Sequence, residues 1–308
     1  HELGFVLHLS RFPWGEDPLA WLRAMAAAAA EAGFEGLSLM DHLIQIPQVG
    51  RAWDPIPEPW VTLGMLAGLE PRLRLGTLVT PVTFRSPGVI AKAAATLSAL
   101  TGGRAFVGVG AGWWNREHAA FALAFPPAAE RLDLLEAGIE TMRALWAAGT
   151  KPYAGQGVSL PETTCYPRPV GELPVVVGGG GRRTLGIAAR LGDACNLPTT
   201  DAGLAKIALF RSLVEEAGRA SDDVAVTVLD LPVVGTDRSD VWRRVERLRG
   251  GMAAAAFAAR HHAGTPAEHT ARYRALVDRG VRTVFVAPPD LADADDVLAL
   301  GPVVAAFA

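Results

Sequence analysis

The chain has 308 residues, with 29 lysines and arginines against 32 aspartates and glutamates, and 50% of its residues are hydrophobic. The resulting net charge of −3 argues against nucleic acid or an anionic membrane surface as the main partner. The apolar runs are far shorter than a membrane-spanning helix requires, and the high apolar content argues against disorder. We therefore expect one globular domain over residues 1–308, with no membrane segment.

Two cysteines, Cys165 and Cys195, occur in the whole sequence, which is typical of a protein from a reducing compartment rather than a disulfide-stabilised secreted one. Residues 3–9 have the pattern of a strand, so no signal peptide is expected. The sequence therefore predicts a cytoplasmic location.

Short apolar runs alternate with helical stretches along the chain. Runs typical of β-strands occur at residues 3–9, 36–40, 73–79, 105–109, 174–178, 194–197, 224–233 and 283–286. Helices are predicted from Asp17-Pro18 to Gly33, over 59–69, from Ser86-Pro87 to Gly102, over 128–147, 182–191, 202–218, 239–248 and 266–279, and from about residue 293. Thr265 and Glu268 have the spacing of a capping box at the start of the 266–279 helix.

Eight strands that alternate with helices predict parallel pairing through right-handed crossovers. In about 300 residues this pattern fits an α/β protein of the (β/α)₈ TIM-barrel class better than an open doubly wound sheet. Residues 151–173 are rich in proline and glycine and break the alternation. We interpret them as an insertion between strands four and five that lies over the barrel mouth.

The active sites of such barrels lie at the carboxyl ends of the strands. Asp41 and His42 follow the second predicted strand, and no second carboxylate at another strand end makes the pair that a glycosidase needs. The lysines fall on predicted helices or in the insertion, away from the position that a Schiff-base aldolase requires. These two common barrel chemistries are therefore disfavoured.

A glycine run follows the fifth predicted strand and leads into a helix. Glycines let the backbone approach a phosphate closely, and the helix N-terminus adds free N–H groups and partial positive charge. Either Arg182 or Arg183 is suited to add a bidentate contact. We predict a phosphate site at Gly178, Gly179, Gly180, Gly181 and Arg182, which is distinct from a Walker motif because Gly-Lys-Ser/Thr is missing.

A second glycine-rich turn, after the fourth predicted strand, contains Ala111 and Gly112 and is followed by Trp113 and Trp114. It suits a flat ring that lies against the backbone, and the two tryptophans, with Trp53, are expected to wall a substrate pocket. No metal site is predicted: His261, His262 and His269 lack a carboxylate or cysteine at ligand spacing and are assigned to a solvated loop.

These motifs resemble the bacterial luciferase-like superfamily, most closely its deazaflavin (coenzyme F420)-dependent oxidoreductases. The resemblance is carried by residues 40–42, 76–81, 108–113 with Glu117, His118 and Phe121, and 177–182, in the same order along the chain. It implies a TIM barrel that binds F420, or FMN, at its mouth. A homodimer is also expected, because dimers are common in this superfamily.

The resemblance implies a role for each motif. The cofactor-binding residues would be Asp41, Leu78, Val79, Thr80, Ala111 and Gly112 at the ring, with a non-proline cis peptide at Leu78-Val79, and residues 178–182 at the phosphate. His42 would act on the substrate, since a histidine side chain suits proton transfer near neutral pH. Trp113 stands where the sugar-phosphate dehydrogenases of the family have a glutamate, so an apolar or neutral polar substrate is expected.

The function predicted is hydride transfer between F420 and a small organic substrate. An FMN-dependent luciferase-like monooxygenase and a barrel that binds a flavin or other ligand without turnover are the alternatives.

Overall fold

The structure, a computed structural model, describes residues 2–308. Within this range eight parallel strands form a closed barrel in the order β1-β10-β9-β8-β7-β4-β3-β2. They are β1 (Gly4–Leu9), β2 (Gly36–Leu39), β3 (Arg74–Pro81), β4 (Ala105–Gly110), β7 (Val175–Gly178), β8 (Ala194–Pro198), β9 (Ala225–Asp230) and β10 (Val281–Val286), and β5 (Tyr153–Ala154) and β6 (Ser159–Leu160) form a separate hairpin. The predicted (β/α)₈ barrel is confirmed.

The barrel strands carry apolar side chains on both faces, because one face packs against the surrounding helices and the other packs inside the barrel. In β1, Leu7 faces outward and packs with the surrounding helices, while Val6 faces inward. The inward side chains form a small central cluster: Val6, Leu78, Phe106, Val176, Ala194 and Phe285. This packed interior closes the barrel below the mouth, so a ligand has access from the carboxyl ends of the strands.

Helices follow the strands and cover the barrel. Asp17 and Ser86 accept hydrogen bonds from the first turns of α1 and α3, and Gly102 ends α3 in the left-handed conformation, as their sequence signals predict. The helices are α1 (Pro18–Glu31), α2 (Pro59–Ala67), α3 (Pro87–Thr101), α4 (Asn115–Ala120), α5 (Ala128–Trp146), α6 (Arg182–Leu191), α7 (Asp201–Leu204), α8 (Lys206–Glu216), α9 (Arg238–Leu248), α10 (Ala254–Arg260), α11 (Pro266–Asp278), α12 (Ala294–Leu298) and α13 (Gly301–Ala305).

The helix predicted over residues 202–218 is divided into α7 and α8, with Thr200 capping the first. The short helices α4 and α10 were not predicted, because six or seven residues are too few to establish a helical period.

The prediction that residues 151–173 lie over the barrel mouth is wrong. They connect the C-terminal end of α5 to the start of β7, which places them at the opposite, amino-terminal end of the barrel. The Tyr153 hydroxyl donates to Glu140 of α5 (2.8 Å), and the Val170 N–H donates to Ser98 of α3 (3.0 Å). The insertion therefore packs on the outside of two helices and leaves the mouth open.

Both cysteines are free and buried. In residues 2–308 we find no helix that combines the length and the apolar character needed to cross a bilayer.

Candidate active site

A cleft of about 470 Å³ opens at the carboxyl ends of β3, β4, β7 and β8. Its floor is formed by Leu78 and Val79, whose peptide bond is cis as the resemblance implies. The residues that line it are Leu78, Val79, Gly110, Ala111, Gly112, Trp113, Gly178, Gly179, Gly180, Gly181, Thr184, Asn196, Pro198 and Leu229. Both glycine-rich turns thus meet in one space.

Glycine at two strand ends leaves room for Val79. A Cβ on Gly110 would lie 2.8 Å from Val79 Cγ2, and a Cβ on Gly178 would lie 2.8 Å from Val79 Cγ1. Any larger residue at these positions would push the valine side chain toward the cleft. The glycines therefore fix the shape of an apolar floor that suits a flat ring.

The glycine run ends at the exposed N-terminus of a helix. Gly179 has a φ of 131°, which favours glycine, and Gly181 precedes α6 without a side-chain cap. The first N–H groups of α6 are therefore free for an anion. Arg182 is exposed and enters no ion pair with residues 2–308, whereas Arg183 is paired with Asp133 of α5.

Lys206 adds a second positive charge to this end of the cleft. Its side chain lies next to Gly180, with Nζ 2.8 Å from the position that a Cβ on this glycine would take. The sequence placed Lys206 on a helix away from the strand ends. The short helix α7 turns the chain so that the first residue of α8 faces the glycine run.

His42 is held by a buried carboxylate that the sequence analysis did not identify as functional. The Nδ1 atom of His42 lies 2.9 Å and 3.0 Å from the two carboxylate oxygens of Glu117 in α4. Glu117 also accepts the Leu43 N–H at 2.6 Å and is 1% exposed. The carboxylate thus fixes the ring and leaves Nε2 as the nitrogen available to a ligand.

Asp41 is enclosed in a network of its own. It accepts hydrogen bonds from the Thr80 hydroxyl (2.8 Å) and from both terminal nitrogens of Arg85 (2.6 and 3.1 Å), and Arg85 also pairs with Glu58. Burial raises the pKa of the Asp41 carboxyl, and the Arg85 guanidinium and Thr80 hydroxyl oppose that effect. With no exposed surface, Asp41 ties the end of β2 to β3 beside the cleft floor.

Apart from His42, which follows β2, a histidine of β1 lies inside the barrel. His8 of β1 is 4% exposed, and its Nδ1 shares a hydrogen bond of 2.8 Å with the Ser38 hydroxyl. Burial, and secondly the charge of nearby His42, lowers the pKa of His8 to about 3, so the ring is neutral at physiological pH. We did not predict His8, because an internal strand position gives no sequence signal of a mouth residue.

Aromatic side chains stand beside His42. The Trp113 ring meets the His42 ring edge-on at 5.8 Å and stacks on Trp114 at 5.6 Å. Trp113 is 49% exposed and lines the cleft, so it joins the cleft to His42. Trp53 is 76% exposed under the Arg51 guanidinium and does not line the cleft.

The histidines near the start of α11 were considered as metal ligands in the sequence analysis. In the described part of the chain no group of three His, Cys, Asp or Glu side chains is arranged to hold a metal ion. His269, which we assigned to a solvated loop, is instead 1% exposed within α11, and its Nε2 lies 3.2 Å from the Val233 carbonyl. The prediction for His269 is wrong because the following turns of α11 pack against the barrel.

The chain belongs to the family of luciferase-like monooxygenases, which it matches over residues 7–285. This confirms the resemblance.

Two of the relatives carry an F420-dependent activity in their names. An F420-dependent glucose-6-phosphate dehydrogenase of Microbacterium testaceum is 34% identical over 212 residues, or 64% of this chain and 59% of that protein. An F420-dependent hydroxymycolic acid dehydrogenase of Mycobacterium tuberculosis is 31% identical over 229 residues, or 72% of this chain and 62% of that protein. The chain therefore spans about three fifths of the length of these relatives.

A solved structure shares the whole fold. The F420-dependent secondary alcohol dehydrogenase in complex with an F420-acetone adduct has a TM-score of 0.81 at 17% sequence identity, with 100% of both chains covered.

Proposed function

We propose that this protein is an F420-dependent oxidoreductase that transfers hydride between the cofactor and a small organic substrate. The observation that carries the proposal is one continuous cleft, in which an apolar floor at Leu78 and Val79 leads to a glycine-lined helix N-terminus. The names of the two relatives support F420 as the cofactor.

The residues of the cleft fit such a cofactor. Its flat ring would lie on Leu78 and Val79, with Ala111 and Gly112 at its edge and Asp41 and Thr80 supporting the strand ends beside it. Its phosphate would bind the N–H groups at Gly178, Gly179, Gly180 and Gly181. Arg182 and Lys206 would supply positive charge. The absence of a side chain at Gly178 leaves room for Val79 in the floor on which the ring would lie.

When bound, the deazaflavin supplies hydride chemistry at its ring. The protein then has to move a proton on the heteroatom of the substrate. His42 is suited to this, because Glu117 holds Nδ1 and stabilises the imidazolium that forms when Nε2 takes a proton. The Trp113 ring meets the His42 ring edge-on and places an apolar surface beside it.

The experiment that tests the proposal is a titration of the purified protein with F420 and, separately, with FMN. Saturable binding of F420 with little binding of FMN supports the proposal. Tight binding of FMN without binding of F420 would overturn it in favour of a monooxygenase. Binding of F420 without turnover on an alcohol, aldehyde and imine panel would favour a ligand-binding barrel.

Two further predictions concern the protein in the cell. A homodimer is supported by exposed apolar side chains on two neighbouring helices, Val61 of α2 and Val89 and Leu100 of α3. Light scattering during gel filtration checks it. The cytoplasmic location stays a prediction from composition, which fractionation of cells can check.

A further inference from the structure

The arginines on the segments around His42 are already engaged. Arg85 is bound to Asp41 and Glu58, and it is 17% exposed. Arg11 donates to the Pro289 carbonyl. A negatively charged substrate would have to separate such contacts before it gained a partner of its own.

Two more arginines of this region are exposed: Arg51 is paired, whereas Arg116 enters no ion pair with residues 2–308 but is not among the residues that line the cleft. Arg51 pairs with Asp54 at 2.9 Å and its guanidinium lies 5.5 Å from the centre of the Trp53 ring. The guanidinium of Arg116 lies 5.9 Å from the centre of the Trp114 ring. Arg182, which follows the glycine run, and Lys206, whose Nζ lies next to Gly180, are at the place where the cofactor phosphate is proposed to bind.

The surface that remains next to His42 is apolar. Trp113 is half exposed, lines the cleft and contacts the His42 ring. Its stacking on Trp114 fixes its orientation. A substrate whose reacting group meets both His42 and the cofactor ring must lie against Trp113, because this side chain borders both.

We infer that the substrate is an uncharged alcohol or carbonyl compound with an apolar group that packs on Trp113, and not a sugar phosphate. In the oxidative direction the carbinol carbon gives a hydride to the oxidised deazaflavin and the hydroxyl gives its proton to His42 Nε2. The products are a carbonyl compound and the reduced cofactor; reduction is the reverse. The inference rests on the proposed function and specifies its substrate class.

The relative from Microbacterium testaceum is named for glucose 6-phosphate, a charged substrate, whereas the substrate inferred for this protein is uncharged. A phosphate dianion beside Trp113 would meet no lysine or arginine among the residues that line the cleft. An apolar group there would instead gain from the burial of its own surface and that of the indole.

The test compares turnover of the F420-loaded protein with 1-phenylethanol, cyclohexanol and glucose 6-phosphate, followed by the visible absorbance of F420. We expect kcat/KM for one of the alcohols to exceed that for glucose 6-phosphate by at least about 100-fold. Trp113→Ala should lower kcat/KM for that alcohol by about 10–100-fold, mainly through KM. Trp113→Phe should restore part of it. Trp242→Ala, at 44% exposure on α9, is the matched control and should leave it unchanged.

The outcomes separate the inference from the proposed function. If F420 does not bind, the proposed function fails. If F420 binds and glucose 6-phosphate is the best of the three substrates, the substrate class inferred is wrong while the proposed function stands. Equal effects of Trp113→Ala and Trp242→Ala would also overturn the inference, because they would indicate a general loss of stability.

Discussion

Both carboxylate oxygens of Glu117 lie within 3.0 Å of His42 Nδ1; the glutamate is buried, and the histidine lies against Trp113, which lines the cleft. This pair is the part of the site best suited to proton transfer, since the carboxylate fixes both the orientation of the ring and the nitrogen that is available.

His42→Asn should lower turnover by about 10²–10⁴-fold and leave the affinity for F420 unchanged. The pH–rate profile of this variant should differ from that of the native protein, because the side chain proposed to move the proton is removed. Glu117→Gln keeps an acceptor for the Leu43 N–H but loses the charge that stabilises the imidazolium, so a smaller fall in turnover is expected. Steady-state kinetics over a range of pH checks both. Retained turnover with an unaltered profile in His42→Asn would remove His42 from the catalytic residues.

The two positive charges beside the glycine run are expected to bind the cofactor phosphate. Arg182→Ala and Lys206→Ala should each weaken F420 binding by about 10–100-fold, because each removes a charge-assisted contact. Arg183→Ala is the control, since Arg183 is paired with Asp133 outside the cleft. Fluorescence titration measures all three. An unchanged affinity in both Arg182→Ala and Lys206→Ala would mean that backbone N–H groups bind the phosphate without either side chain.

Gly178 should not tolerate a side chain. In Gly178→Ala the new Cβ would meet Val79 at 2.8 Å and force it toward the cleft, so we expect a loss of stability of about 1–3 kcal/mol. Gly181→Ala is the matched variant, because its Cβ would lie at an ordinary 3.7 Å from Thr184. Thermal unfolding compares the two. Equal melting temperatures would mean that Val79 can move without cost.

His8 should make the fold sensitive to acid. Its pKa of about 3 in the folded protein lies below the ordinary value of 6.5, so the unfolded chain binds more protons as the pH falls below 6.5. At pH 5 this lowers the free energy of unfolding by about 2 kcal/mol. His8→Gln should therefore lose less stability than the native protein between pH 7 and pH 5, as measured by urea unfolding. Parallel curves for the two proteins would contradict this.

The fold was predictable because its signals are local. The caps at Asp17 and Ser86 and the glycine at 102 mark helix ends within a few residues. By contrast, the insertion was misplaced although its connectivity was predicted, because a segment that joins a helix to the next strand lies at the amino-terminal end of the barrel, away from the mouth.

The site was predictable only in part. The glycine turns and His42 follow strands and are recognisable in one dimension, whereas Glu117, Arg85 and Lys206 reach the site from helices or loops. The separation of 75 positions between His42 and Glu117 shows why. The one available signal was the place of Glu117 in the first turn after the second glycine turn, where its charge also favours the helix N-terminus.

The measurement that tests hydride transfer most directly is the fate of deuterium. The protein is incubated without oxygen with reduced F420 that carries deuterium at both positions of the transferring carbon, together with acetophenone and cyclohexanone. Mass spectrometry then examines the products. We predict alcohol that carries one deuterium on the carbinol carbon, in an amount that matches the cofactor oxidised. Cofactor oxidation that requires oxygen and leaves no deuterium in the products would contradict the account and indicate oxygen-activating chemistry instead.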